Sequence, residues 1–362
     1  MGNSCAGAFD LLIKITLKLV KRNGKLIAMR EETRSLQFSH VPVLLTECLK
    51  ALDLKANGTY VDCTAGGAGH SAAILQRLGS GGRLFAFDKD PTARQAAAAK
   101  LAQVKTAATY ELIAADFASL REELSKRNVF AVDGILADLG VSSPQLDTGE
   151  RGFAYRLEGP LDMRMNPTCG RTAADILRLE DQATLTRIMR EYGEERYAAR
   201  IAAAVVKTRE TKPLTGTGEL VDLICKAVPA AARREKQHPA KRVFQSLRIA
   251  VNDELGALRK LLQQAPGLLK PDGHLVIITF HSLEDRLVKQ AFRRWERPCR
   301  CPSGLPCVCG LASQGKADPP HGLVAGKTEL AENPRSRSAR VRVFRRNANP
   351  PLVEIFSGEA SD

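Results

Sequence analysis

From about residue 59 onward, short apolar runs alternate with stretches of helical periodicity. Thr59–Cys63 is rich in β-favouring residues and predicts a strand. Ile74, Leu75 and Leu78 follow at helical spacing, and the Gly79–Gly82 segment breaks that helix. Arg83–Phe87 predicts a second strand. Asp90-Pro91 opens the next helix, with Asp as N-cap and Pro at the first position, running to about Gln103. Thr109–Ile113 predicts a third strand and Leu120–Ser125 a short helix. Val132–Asp138 (V-D-G-I-L-A-D) is apolar enough to be buried on both faces of a parallel sheet. This alternation predicts an α/β protein built on a doubly wound parallel sheet.

After Asp138 the alternation stops. Residues 139–145 (L-G-V-S-S-P-Q) read as a loop at the carboxyl end of a central strand, where such folds place their active sites. Residues 148–252 then show helical patterns only: Ala173–Leu177, Asp181–Tyr192, Arg196–Thr208, Thr217–Val228 and Lys241–Leu255. They predict a helical domain at 148–252 inserted into the sheet domain, which is formed by 38–147 and 253–347. The sheet resumes at Gly273–Phe280, followed by a helix to about Trp295, an irregular stretch over 298–335, and a late strand at Ala339–Arg345. A tail occupies 348–362. Residues 1–37 form an extension expected to be poorly ordered. Within it, Leu11–Lys25 mixes apolar and basic residues and suits an amphipathic membrane-surface or targeting helix. Met29 is an alternative start.

The glycine cluster between the first two strands supplies the candidate chemistry. Gly66, Gly67 and Gly69 allow a tight turn and close approach of a ligand. Asp88 lies at the end of the next strand, where its carboxylate can accept both hydroxyls of a ribose. Gly67-Ala68-Gly69-His70-Ser71-Ala72 fits G-x-G-x-x-A, so a nicotinamide cofactor stays open. Asp62, ending the first strand, suits a cofactor with an amino-acid tail, whose ammonium needs a carboxylate. That favours S-adenosylmethionine. Asp138 and the polar loop to Gln145 could accept hydrogens from an amine being methylated, with no metal required. Alternatively, Asp138 merely fastens the loop. His281, after an apolar strand, suits a structural or ligand-contacting role better than a general base.

The net charge of +14 points to a polyanionic partner, most often nucleic acid. Aromatic content of 5% argues against stacking as the main binding device. The densest basic run is Arg335, Arg337, Arg340, Arg342, Arg345 and Arg346, and on a strand Arg340 and Arg342 share a face suited to phosphates. A charged edge strand guarding against aggregation is the alternative. Lys241 and Arg242 are among the basic residues of the helical region. Of nine cysteines five are scattered, several in apolar segments as small hydrophobes, which suits a reducing, cytoplasmic setting. Four are clustered: Cys299, Cys301, Cys307 and Cys309, in two C-x-C pairs. They could hold a structural zinc, remain free thiols or form disulfides. No apolar run reaches the roughly 18 residues of a membrane span, so the main body has no membrane partner.

Several blocks together resemble the ribosomal RNA small-subunit methyltransferase H family, also called MraW. They are residues 40–45 (H-V-P-V-L-L), 62–71, 138–147 (D-L-G-V-S-S-P-Q-L-D), 151–153 (R-G-F), 159–165 (G-P-L-D-M-R-M), 242–249 (R-V-F-Q-S-L-R-I), 281–286 (H-S-L-E-D-R) and 332–338 (E-N-P-R-S-R-S). The resemblance implies a class I S-adenosylmethionine-dependent methyltransferase, a Rossmann-like doubly wound sheet with an inserted all-helical domain. It implies methylation of N4 of a decoding-centre cytidine in 16S rRNA of the small ribosomal subunit. It implies cofactor contacts at Ala68, Gly69 and His70, at Asp88 through the ribose, at Phe117 near the adenine, and at Asp138 and Gln145. Asp138-Leu139-Gly140-Val141 stands where common amino-methyltransferases carry an Asp/Asn-Pro-Pro-Tyr/Phe loop, which makes Asp138 the catalytic candidate. Lys241, Arg242, Arg335, Arg337 and Arg340 are the expected RNA contacts. A homodimer is compatible with all of this. A non-catalytic RNA-binding assembly factor is the alternative that the intact glycine turn and Asp88 argue against.

Overall fold

The computed structural model describes residues 17–22, 25–30, 42–302, 304 and 306–348. β1 (Leu17–Arg22) and β2 (Lys25–Arg30) pair antiparallel and form one unit, and the rest of the described chain forms another. Over its described residues, 17–22 and 25, the helix expected for Leu11–Lys25 is therefore replaced by strand. Arg22 pairs with Lys25 across Asn23-Gly24, the dipeptide that most favours a two-residue hairpin connection. The remaining residues of the 1–37 extension lie outside the described ones.

The second unit begins with α1 (Leu45–Leu52). β3 (Thr59–Asp62), α2 (Gly69–Leu75), β4 (Arg83–Phe87), α3 (Pro91–Leu101), β5 (Thr109–Ile113), α4 (Leu120–Ser125) and β6 (Val132–Asp138) then follow as predicted. α5 (Ser143–Asp147) opens inside the expected loop. Six helices come next: α6 (Ala173–Leu179), α7 (Gln182–Glu191), α8 (Ala198–Arg209), α9 (Thr217–Ala227), α10 (Ala230–Arg233) and α11 (Ala240–Asn252). The expected helix Lys241–Leu255 is therefore cut short. Asp253 takes φ +47°, in the left-handed region, and a new helix α12 (Glu254–Leu268) starts there. α12 leads directly into β7 (Leu269–Thr279), which begins before the predicted Gly273. α13 (Ser282–Glu296), β8 (Gly315–Ala317), β9 (Leu323–Val324), α14 (Lys327–Glu332) and β10 (Arg340–Arg346) complete the chain.

The sheet order is β5-β4-β3-β6-β7-β10-β8, with β9 pairing β10. β3 to β7 are mutually parallel, and β10 enters antiparallel beside β7. Period-2 alternation sends strand residues into two cores. Ile135, Ala137 and Ile277 join residues of α4, α12 and α13 on one face. Leu136, Val276 and Ile278 join residues of α1, α2 and α3 on the other. A third core, including Phe153, Ile176, Leu185, Ile201, Leu220 and Leu247, belongs to the helices after β6. Helices on both faces of a mainly parallel sheet make this the expected α/β class.

Candidate active site

The strand order reverses between β3 and β6. A doubly wound sheet binds its ligand in the crevice beyond the strand carboxyl ends at such a reversal. Asp62 ends β3, Asp138 ends β6, and Asp88 directly follows β4, so three carboxylates face one crevice.

The turn after β3 is shaped by two left-handed residues, Gly66 at φ +51° and Ala68 at φ +56°. A Cβ on Gly69 would overlap the Pro42 ring, so packing demands that glycine. Gly67 is exposed, and a Cβ there would meet nothing within 4 Å, so its bareness leaves space above the turn. Asp62 is buried and holds the turn from below. Its carboxylate accepts the Thr64 N–H at 3.0 Å and the Ser71 hydroxyl at 2.5 Å. An ammonium at Asp62 therefore shares an acceptor that the turn already uses.

Asp88 accepts the Gly66 N–H at 2.8 Å on one oxygen and the Asp90 N–H at 2.8 Å on the other. Each oxygen keeps a further lone pair, enough for two hydroxyls. Burial pushes its pKa up to about 6, against the lowering effect of those two N–H groups.

Asp138 is anchored by its own N–H, which donates to Thr64 Oγ1 at 2.7 Å. Its Oδ1 is buried and has no hydrogen-bond partner among the described residues. Its other oxygen lies 3.8 Å from Nδ1 of buried His70, whose Nε2 is also buried without a partner. Burial, then the charges of Asp62 and Glu284, push the Asp138 pKa well above its ordinary value. Burial lowers that of His70 and keeps the imidazole neutral. Buried polar atoms without partners are rare in native proteins, and here each of these two neighbouring side chains carries one.

Gln145 is buried in α5, and both ends of its amide are spent inside the protein. Oε1 accepts the Ser142 N–H at 2.9 Å, and Nε2 donates to Asp90 Oδ2 at 2.9 Å. Phe117 starts a single 3-10 turn capped by Asp116, half-buried against the sheet core, one residue past the Asp116–Lys89 ion pair of 2.9 Å.

The frame around these residues was not legible from motif logic. Asp90, expected only as a helix cap, accepts Thr92 N–H, Gln145 Nε2 and the Arg151 guanidinium. Arg151 also donates to the carbonyls of Arg164 and Met165 at 3.0 Å. Asn252, ending α11, grips the same loop through Met163 O and Met165 N–H at 2.7 Å. Lys89 reaches Asn252 O at 3.3 Å. These bonds tie the crevice wall to the helices that follow it. The signal was present in the R-G-F and G-P-L-D-M-R-M blocks, though not the pairing.

His281 lies 3.1 Å from Glu284. Glu284 accepts the Phe280 and His281 N–H groups and caps α13, which fits the structural reading of the histidine. Although burial raises its pKa, the His281 contact, the Phe280 N–H and the Arg248 charge hold Glu284 below its ordinary value.

Of the expected RNA contacts, Lys241, Arg242 and Arg337 are exposed. Arg335 is half-buried and pairs with Asp147, at the end of the α5 loop, at 2.9 Å. Arg340 donates to His321 O at 2.8 Å. Arg342 departs from the expected phosphate role. It is 6% exposed and makes two bonds to Asp285, at 2.8 and 3.0 Å, because the strand face it shares with Arg340 packs under α13. A cavity of about 780 Å³ lies between α13 and β10, with Lys289, Arg293, Arg297 and Arg340 on its lining, and shares no lining residue with the crevice. Among the described residues no helix is long and apolar enough to cross a membrane.

A model of the MraW methylase family matches residues 37–347. A ribosomal RNA small subunit methyltransferase H of Symbiobacterium thermophilum is 48% identical over 323 residues, covering 89% of this chain and 98% of that protein. One of Carboxydothermus hydrogenoformans is 50% identical over 308 residues, covering 85% and 97%. One of Heliobacterium modesticaldum is 49% identical over 307 residues, covering 84% and 97%.

Proposed function

The chain belongs to the MraW methylase family, and on that premise we propose that it methylates N4 of a decoding-centre cytidine in 16S rRNA of the small ribosomal subunit. Its cofactor is S-adenosylmethionine, which supplies an electrophilic methyl group on a sulfonium. The family match leaves the nicotinamide alternative without support.

The observation that carries the reading is the unpartnered, buried Asp138 Oδ1 at the reversal of the sheet. An exocyclic amine donates its lone pair into the base ring and is a poor nucleophile. Asp138 accepts one amine hydrogen and so turns the lone pair outward. His70, neutral and buried beside it, adds a polar contact without a competing charge. Asp88 holds the ribose of the cofactor, and Gly67 leaves room for its approach. Asp62, Ala68 and Gly69 shape the turn beneath it, while Phe117 flanks the adenine. Gln145 acts from behind, bracing Asp90 and the α5 loop.

We assign the RNA face to the inserted region 148–252, through Lys241 and Arg242, and to Arg335, Arg337 and Arg340. Arg337 is the cleanest test, because Arg335 also anchors Asp147. Arg337→Ala is expected to weaken rRNA binding and reduce the slope of log affinity against log salt by about one unit. An unchanged slope removes Arg337 from the interface.

The reaction itself is tested with labelled S-adenosylmethionine and small subunits from a strain lacking the modification. Nucleoside mass spectrometry is expected to find N4-methylcytidine. Cofactor binding without transfer to subunits or free rRNA would favour the assembly-factor reading.

A further inference from the structure

Cys299, Cys301, Cys307 and Cys309 lie in the loop that leaves α13 and returns at β8. The loop is closed at its base, where the Gln314 N–H donates to Trp295 O at 2.9 Å. Between Cys299 and Ser313 none of the described residues is buried, and Val308 is 89% exposed. No apolar core holds this segment, yet its four thiols converge. The four Sγ atoms lie within 4.8 Å of one another. Cys307 Sγ is 3.5 Å from that of Cys299, 3.4 Å from that of Cys309 and 4.0 Å from that of Cys301.

These separations exclude a disulfide, whose S–S bond is about 2.05 Å. They match the edge of a tetrahedron of sulfurs around zinc. A Zn–S bond of about 2.3 Å gives an edge of about 3.8 Å. A backbone N–H also points at one of the sulfurs, as happens around bound thiolates: Val308 N–H donates to Cys301 Sγ at 3.4 Å.

We propose that these four cysteines bind one zinc ion as a closed tetrathiolate site that shapes the exposed loop. Four sulfur ligands leave no open position, so the ion is structural and takes no part in methyl transfer. Binding supplies the order that the loop lacks from packing. The thiols release their protons as the four Zn–S bonds form, and no redox step is involved.

The test uses the full chain, purified under reducing conditions without chelator. Elemental analysis is expected to find about one zinc per chain. Cobalt substitution is expected to give thiolate charge-transfer bands and the intense visible bands of a tetrahedral site. Cys307→Ser should drop the zinc content to near zero, while Cys169→Ser, which alters an exposed cysteine elsewhere, should leave it unchanged. Because the loop lies outside the hydrophobic cores, Cys307→Ser should keep the main melting transition and cofactor affinity. Reduced wild-type protein that takes up no stoichiometric zinc from added salt would overturn the proposal. So would two disulfides by intact mass, or full zinc content in Cys307→Ser.

Discussion

Asp88→Ala is expected to weaken S-adenosylmethionine binding about 100-fold. Each hydrogen bond to a charged acceptor contributes about 1.5–3 kcal/mol, so losing two ribose hydroxyl contacts removes at least about 3 kcal/mol. The variant also strips the Gly66 and Asp90 N–H groups of their acceptor, which loosens the turn. Asp88→Asn separates the two effects. Its carbonyl oxygen can keep one N–H contact, so it should retain more of the turn while losing the charge. Calorimetry gives the dissociation constants, and an unchanged affinity for Asp88→Ala would remove the ribose role.

The same residue gives a pH dependence. With its pKa pushed up to about 6 in the free protein, Asp88 is ionised at pH 7.5 and largely protonated at pH 5. Only the ionised form accepts both hydroxyls. Affinity should therefore be flat above about pH 7 and fall as pH drops through 6, by about 10-fold at pH 5. Asp88→Asn should abolish that fall. A wild-type affinity flat from pH 7.5 to 5 would place the proton elsewhere.

The framework of the sheet was open to sequence reading because it rests on local signals. Buried parallel strands such as Val132–Asp138 have to be apolar, and the turn between Asp62 and Gly69 has to be glycine-rich. Asp88 was found by its place at the end of the strand that follows the glycine turn. Pairings between distant segments were not legible. Nothing in A-R-V-R-V-F-R says that Arg342 meets Asp285 while Arg340 reaches only a carbonyl, since charge on a strand looks the same whether solvated or paired. Gln145 carries a similar lesson. The resemblance implies a cofactor contact there, and what it does not reveal is that the amide joins Ser142 to Asp90, which lies 55 positions before Gln145 in sequence. α12 escaped notice because the left-handed Asp253 starts it directly after α11, without the glycine that usually marks such a break.

Asp138→Ala is expected to lower the rate of methyl transfer by 10²- to 10³-fold, within the range for positioned acid–base groups. Cofactor affinity should change far less, because Asp88 and the turn carry most of that binding. In the proposed reaction the amine becomes cationic as the new N–C bond forms and the C–S bond breaks, and it has to lose a proton, for which Asp138 is the proposed acceptor. A carboxylate whose pKa burial has raised is better matched to that task than one at its ordinary value. The cost is that Asp138 must be ionised before the reaction starts. The rate of the wild type should therefore fall as pH drops through the raised pKa of Asp138, with subunits and cofactor saturating. Asp138→Asn discriminates between the two duties. Its carbonyl can still accept one amine hydrogen, but it cannot take up the proton. If orientation dominates, Asp138→Asn should recover much of the rate lost in Asp138→Ala and show no acid limb. If proton acceptance dominates, the two variants should be equally slow. Single-turnover rates under saturating cofactor measure both, and wild-type rates in Asp138→Ala would reject the residue as catalytic.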